Sequence, residues 1–376
     1  MLDQSIVILL TPYHIQALKD VCEKFDLAAS ELIILMPDSL NSSLLDTFKL
    51  ESIKIIRFSS KDYQLAGERF GKRVLSIIKN PFYIKKLRTV FNNTKDLIDK
   101  SLCPILRGGD KQLVIFNDRD FMAQVAISKL RKKFRNSISI VAIDEGLGFY
   151  VKEGIKESTM KLVYNIISPF LFGFNYRFIE QYGSHPQINL VYARFPELII
   201  KKSHIKYHKI PFDLNSKDAF NISKIKSSRS ILLISAPLTE ENFISIKEEI
   251  NFYKFLGIFI KENNLNLTWK PHPREGKNKI SDIVNKYLKN DSNIKFELVE
   301  KNVLAEEIDY ATHGAIITFG SSIILDLIYR GYPRDSIVTI KPYNFYLTEH
   351  IFDQTRLINI DNNLNLNLEK RLNDIF

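Results

Sequence analysis

ILLISAPLTEENFISIKEEINFYKFLGIFIKENNLNLTWKPHPR, residues 231–274, holds the alternation on which the fold depends. A β-branched run, Ile231–Ser235, precedes Phe243–Glu262, whose apolar residues recur at helical spacing; a second apolar run, Leu265–Trp269, follows. Strand, helix and strand in succession make a parallel sheet, with helices covering its faces.

The alternation extends in both directions. Upstream, strands are expected at Ile6–Leu10, Leu32–Met36, Ile53–Phe58, Leu113–Phe116 and Ile138–Ile143. Helical stretches at Ile15–Phe25, Arg69–Ile78, Ile84–Ile98 and Phe121–Phe134 separate them. Downstream, strands are expected at Ile294–Leu298, Ala315–Phe319 and Ser336–Ile340, with helices at Ile280–Leu288, Leu304–Tyr310 and Ile323–Tyr329. The polar stretch after Lys201 has no strong period and reads as a linker. The expectation is an α/β protein of two Rossmann-like domains, residues 1–212 and 213–376, facing a central cleft.

Composition limits the function classes. The 376 residues are 45% hydrophobic and 26% charged, a globular mix. Two cysteines, Cys22 and Cys103, exclude a disulfide framework or a four-cysteine zinc site and fit a reducing compartment. The start, MLDQSIVILLTPYH, has no basic region ahead of its short apolar run and does not read as a secretory signal. No apolar stretch approaches the ~20 residues needed to span a bilayer. The nearest, Leu162–Phe178, is interrupted by Asn165, Pro169 and Gly173.

The net charge of +10 is unevenly distributed. Residues 1–212 hold 32 Lys and Arg against 21 Asp and Glu, whereas residues 213–376 hold 21 against 22. The basic excess therefore lies entirely in the first half. It is either a solubilising surface or a face for something anionic.

In doubly wound sheets ligands meet the loops at the carboxyl ends of strands. Neither GxGxxG nor GxxxxGK[ST] occurs in those loops, so dinucleotide and P-loop readings have no support. The first loop, Thr11-Pro12-Tyr13-His14, offers one imidazole, which reads as a substrate contact or a structural histidine. Asp144-Glu145-Gly146-Leu147-Gly148 sets two carboxylates between a strand and two glycines; it reads as a general base or as a cap or loop salt bridge. The glycines would allow a tight turn and close approach of a ligand. Lys270-Pro271-His272-Pro273-Arg274 places three cationic side chains around a rigid imidazole, suited to an anion. His185-Pro186 repeats that dipeptide without basic neighbours and reads as structural. Gly320-Ser321-Ser322 opens a helix and reads as a phosphate site or a plain N-cap. Thr239-Glu240-Glu241-Asn242 resembles a capping sequence whose glutamates could also reach a substrate. His204 and His208 share a four-residue spacing but lie in a lysine-rich stretch without a third metal ligand, and no GxSxG elbow occurs.

IDEGLGFY, WKPHPRE and FGSS occur in the order found in bacterial GT-B sialyltransferases, and the chain resembles their lipooligosaccharide, capsular and polysialyltransferase group. That resemblance implies a GT-B enzyme with CMP bound by the second domain. His272 would contact the phosphate with Ser321 and Ser322, in the turn that Gly320 opens; Lys270 and Pro273 would shape the nucleotide pocket, and Glu306 would hold the ribose. The acidic motif would supply the base, Glu145 before Asp144. Some members place that acid in the second domain, which would indicate Glu241 or Glu240. Asn242 stands where that local pattern often has glycine.

The implied reaction is inverting and needs no metal or other cofactor. Sialic acid would pass from CMP-sialic acid to a hydroxyl of a lipooligosaccharide or capsular acceptor through an oxocarbenium-like state. CMP-Kdo or another nonulosonate donor would satisfy the same motifs, which face CMP rather than its sugar. The first half would bind a glycan or glycolipid, with Lys85, Lys86, Arg88 and the stretch Lys129–Arg135 facing an anionic inner-membrane surface. The expected location is cytoplasmic and peripheral to that membrane. A nucleic-acid binder is the contrasting class, and the confinement of the basic excess to one half, without a nucleic-acid motif, argues against it.

Overall fold

Seven parallel strands form the first sheet: β1 (Gln4–Ile8), β2 (Glu31–Pro37), β3 (Ile53–Phe58), β4 (Lys111–Ile115), β5 (Ile138–Ile143), β6 (Leu190–Ala193) and β7 (Lys206–Lys209). Their spatial order is β3-β2-β1-β4-β5-β6-β7. The second sheet has six parallel strands: β8 (Ser230–Ile234), β9 (Asn266–Lys270), β10 (Phe296–Leu298), β11 (Ala315–Thr318), β12 (Ile337–Lys341) and β13 (Arg356–Asn359). Its order is β10-β9-β8-β11-β12-β13. This is a computed structural model; it describes the chain apart from residues 1–3, 12–13, 16, 19–20, 23–30, 41–44, 46–51, 62–81, 151–167, 170–175, 178, 180, 211–219, 241–243, 273, 289–294, 301–302, 304, 306–307, 322, 342–355 and 360–363. The chain divides into two units, Met1–Pro211 and Phe212–Phe376, with one sheet in each.

The central strands are apolar because helices cover both their faces. Ile6, Ile33, Leu113 and Ile140 are buried at the middle of the first sheet, and Ile231, Leu233, Ile316 and Val338 in the second. Between β4 and β5 runs α2 (Phe121–Phe134), after α1 (Phe82–Asp96). Asp120 caps α2 by accepting the N–H groups of Met122 and Ala123, so this loop acid serves the helix. The second unit contains α3 (Ile222–Ser227), α4 (Ile246–Glu262), α5 (Lys277–Ile283), α6 (Ile323–Tyr329) and α7 (Leu364–Asn373). Helix α4 opens with a capping box in which Ser245 and Glu248 bond reciprocally. Phe252 and Tyr253 on its inner face pack edge-on against Phe319 and obliquely against Trp269, with centroids 5.1 and 4.9 Å apart.

Each sheet reverses its winding beside its first strand. The reversal lies between β1 and β4 in one sheet and between β8 and β11 in the other. In such folds, ligands are accepted at the carboxyl edge beside this reversal, where the connections run to opposite sides.

Three strands were not anticipated from the pattern. Part of the expected linker, Lys206–Lys209, is the edge strand β7, paired with β6. An edge strand needs little apolar surface, and lysines there discourage further pairing, so its polarity is physically reasonable. Strands β6 and β13 are only four residues long and leave little periodic signal. The α-helix expected at Leu304–Tyr310 does not form at its described residues: Ala305 lies in a tight turn, and another, Tyr310–Thr312, occupies the end. The helix expected at Arg69–Ile78 lies outside the described residues, as does most of Leu162–Phe178.

Candidate active site

In the first unit, β1, β4 and β5 bring their loops together around Asp144 and Glu145. The two adjacent acids have different surroundings. Asp144 is buried and accepts from both arms of the Arg194 guanidinium: Nε at 3.0 Å to Oδ2 and Nη2 at 3.1 Å to Oδ1. It also accepts the N–H groups of Gly146 (2.7 Å) and Arg194 (3.2 Å) and the Tyr150 hydroxyl. These five contacts fill a carboxylate's acceptor sites, leaving no position for a substrate hydroxyl. Asp144 therefore fastens the loop to the end of β6, the salt-bridge alternative for this motif. Arg194 left no local sequence signal, because its partner is 50 residues away.

Glu145 keeps 18% of its side-chain surface. Its Oε2 is 2.9 Å from Nε2 of His14, in the loop after β1. Leu10 N–H donates to Nδ1 of the same ring at 3.1 Å, so the ring proton is on Nε2 and is donated to Glu145. Phe116 stacks on the imidazole, with centroids 4.2 Å apart and planes 11° from parallel. His14 is thus structural and, at the same time, in contact with the candidate base. Pro12 and Tyr13 lie outside the described residues.

The two glycines of the motif do different work. Gly146 has φ 131°, which an L side chain rarely adopts. At Gly148 a Cβ would stand 2.2 Å from the Tyr182 ring, so the space expected for a ligand is occupied by protein. Burial, assisted by the charge of Glu145, pushes the Tyr182 hydroxyl up to about 12. Nearby Asp118 is fully buried, and burial raises its carboxyl to about 6 although His185 and Gly183 donate N–H bonds to it. His185, in the second His-Pro dipeptide, is accordingly a structural element, and burial lowers its imidazole to about 4.

In the second unit the His272 loop leaves β9, beside the first strand β8. Arg274 N–H donates to His272 Nδ1 at 3.1 Å, so this imidazole too carries its proton on Nε2. His272 N–H donates to Glu275 Oε2 at 2.6 Å. The same oxygen accepts the Ser235 hydroxyl at 2.6 Å, and Ser235 in turn accepts the indole N–H of Trp269 at 2.8 Å. A chain of hydrogen bonds therefore ties the His272 loop to the only tryptophan in the protein. Burial raises the Glu275 carboxyl, and Lys279 Nζ, 3.4 Å from its other oxygen, opposes this. Lys279 also donates to Glu240 (2.9 Å) and to buried Glu249 (2.8 Å). Glu240 further accepts Gly276 N–H at 2.9 Å; burial works to raise its carboxyl, but these bonds hold it below the usual range. Glu275 lies within the WKPHPRE stretch, yet its neighbours alone gave no reason to single it out.

Lys270 is buried, and its ammonium donates to the carbonyl of Pro271 at 2.8 Å, a bond that shapes its own loop. Gly320, after β11, has φ 65°, a turn suited to glycine. Ser321 follows it, half-buried, with Oγ 3.4 Å from Ile323 N at the start of α6, in the manner of a cap. Ser322, Pro273, Glu306 and Glu241, also candidates from the sequence, lie outside the described residues, as does Asn242.

Comparison with known proteins agrees with this architecture. The E. coli trehalose-6-phosphate structure bound with UDP-2-fluoro glucose aligns at TM-score 0.57 and 10% identity, over 99% of this chain and 91% of that one. MurG from Acinetobacter baumannii aligns at TM-score 0.52 and 10% identity, covering 100% and 90%. UDP-GlcNAc 2-epimerase from Methanocaldococcus jannaschii, in complex with UDP-GlcNAc and UDP, aligns at TM-score 0.53 and 11% identity, covering 99% and 92%. At such identity these likenesses carry the fold alone, which is GT-B. No curated protein matches the chain in sequence. The family model described as alpha-2,8-polysialyltransferase (POLYST) matches residues 5–326, a span that includes Glu145, His272 and Ser321. Because that match runs from β1 into α6 and covers most of the chain, this protein belongs to the alpha-2,8-polysialyltransferase family and is a sialyltransferase.

Proposed function

We propose that the enzyme transfers sialic acid from CMP-sialic acid to a hydroxyl of a lipooligosaccharide or capsular acceptor, with inversion and without a metal. The observation that carries this reading is the His272 loop: its ring accepts a backbone N–H at Nδ1 and so holds Nε2–H as a donor, at the carboxyl end of a strand beside the switch point. Such a donor suits the phosphate of a departing CMP, whose negative charge grows in the transition state. The Ser321 hydroxyl and Ser322 would donate to the same group, and Glu306 would accept from the ribose hydroxyls. Lys270 would hold the Pro271 carbonyl and so the loop.

Glu145 would act as the base. As it takes the acceptor's proton, the acceptor oxygen bonds to the anomeric carbon and the bond to the CMP phosphate oxygen breaks. One displacement with no covalent enzyme intermediate inverts the anomeric configuration. Cationic and hydroxyl donors would stabilise the monophosphate leaving group, the part a metal often plays. Glu241, the alternative base, would show itself by a larger loss in Glu241→Gln than in Glu145→Gln.

The acceptor would be bound by the first unit, and the enzyme would sit against the cytoplasmic face of an anionic membrane. Exposed Lys85, Lys86 and Arg88 on one face of α1 support this. No helix among the described residues is long and apolar enough to cross a membrane. The test is transfer from CMP-sialic acid to galactose- or sialic-acid-terminated acceptors in the presence of a chelator, with the product anomer read by NMR. Inverted product formed at an unchanged rate supports the reading. Transfer only from CMP-Kdo, or loss of activity to the chelator, would overturn it.

A further inference from the structure

The His14–Glu145 pair has a directionality that separates two roles for an imidazole beside a base. Its Nδ1 accepts the Leu10 N–H at 3.1 Å, and its Nε2 lies 2.9 Å from Glu145 Oε2. A backbone amide gives up no proton under these conditions, so Nδ1 has no exit for one. The ring is also fixed in plane by Phe116 and is 2% exposed, which keeps water from Nδ1. Among the described residues, His14 is the only hydrogen-bond partner of the Glu145 carboxylate.

We propose that His14 is a positioning residue for Glu145: it clamps Oε2 through Nε2–H, turns Oε1 towards the acceptor hydroxyl, and does not relay the proton. This rests on the reading of Glu145 as the base. During transfer the acceptor O–H bond breaks and its proton passes to Oε1, while His14 keeps its own proton on Nε2 throughout. The clamp has a topological origin. The rings of His14 and Phe116 meet across the switch point between β1 and β4, and Glu145 leaves the next strand, β5. Three loops therefore converge on a single carboxylate.

The Gln side chain can place an N–H where His Nε2–H stands and still accept Leu10 N–H, whereas Phe keeps only the stack on Phe116. His14→Phe is expected to lower kcat by about 10- to 100-fold, as for loss of a hydrogen bond to a charged group, with KM for CMP-sialic acid little changed. His14→Gln is expected to recover kcat to within about five-fold of the parent, since a clamp needs a donor and not a titrating ring. Independently of any donor sugar, 15N–1H NMR of the ligand-free protein is expected to show a neutral, Nε2-protonated ring for His14, identified by its loss in His14→Gln. An unaffected kcat in His14→Phe, a His14→Gln enzyme as slow as His14→Phe, or an Nδ1-protonated ring would each overturn the proposal. If the unmodified enzyme transferred nothing from CMP-sialic acid, the functional reading would fall, and the NMR tautomer would still decide the clamp.

Discussion

Glu275 Oε2 and the backbone nitrogen of His272 are 2.6 Å apart, and this one carboxylate oxygen also holds Ser235 and, through it, Trp269. The candidate phosphate-binding imidazole is thereby anchored to an aromatic core. Removing a buried acceptor leaves its donors unsatisfied and lets the loop relax. Glu275→Ala is expected to weaken CMP binding by about ten-fold, roughly 1.4 kcal/mol, by isothermal titration. An unchanged CMP affinity would separate the loop's anchoring from nucleotide binding.

The neighbouring acids of the first unit should respond in opposite ways. Arg194→Met leaves the buried Asp144 carboxylate without its cation, and breaking a buried pair costs about 3–5 kcal/mol. A large fall in thermal unfolding temperature is expected. Glu145→Gln keeps shape at a partly exposed position, so its unfolding temperature should stay near that of the parent while kcat collapses. A stable, active Arg194→Met protein would refute the structural role given to Asp144.

Gly257, inside α4, faces the second unit's core at close quarters. A Cβ there would stand 2.5 Å from the carbonyl oxygen of Tyr287. Alanine gains about 1 kcal/mol of helix propensity over glycine. Overpacking costs about 1–3 kcal/mol, and the atom in the way is backbone, which cannot rotate aside. Net destabilisation of Gly257→Ala is expected in urea unfolding followed by Trp269 fluorescence. A stabilised variant would show that the helix can shift to admit the methyl.

Acid should weaken the second unit through His313. Burial pushes this imidazole down to about 4, and its Nδ1 is 3.0 Å from the Ser230 hydroxyl. An unfolded histidine titrates near 6.5, so the folded form binds protons more weakly. The associated stability is complete above about pH 6.5 and declines as pH falls towards 4, by roughly 3 kcal/mol. His313→Gln should lose most of that dependence. Trp269 fluorescence at graded pH measures it, and parallel curves for parent and variant would disprove the assignment.

Much of the fold was legible in the residues. Ile53–Phe58 and Ile138–Ile143 matched their strands to the residue, and Phe121–Phe134 and Ile323–Tyr329 their helices. Elements buried on two faces must be apolar throughout, and that pattern survives in a single sequence. Strand β7 escaped because an edge strand is under no such requirement. The loops at carboxyl ends could be found for the same reason: once the strands are placed, their exits follow.

The sequence by itself determined the two parallel-sheet units and the family motifs at DEG, HP and Gly-Ser, because periodicity and short-range spacing encode both. It ranked Glu145 ahead of Asp144 only by its place in the family motif, since adjacent acids differ physically in what lies across space from them. Tertiary structure separated them by placing Arg194 on one and His14 on the other, 50 and 131 residues distant along the chain. It likewise brought Glu275 into contact with Ser235, and filled the space at Gly148 with Tyr182. Burial, charge pairing and ring tautomer depend on partners that only folding brings together, and those partners distinguish an acid that ties down a loop from one that stays partly exposed beside a single imidazole.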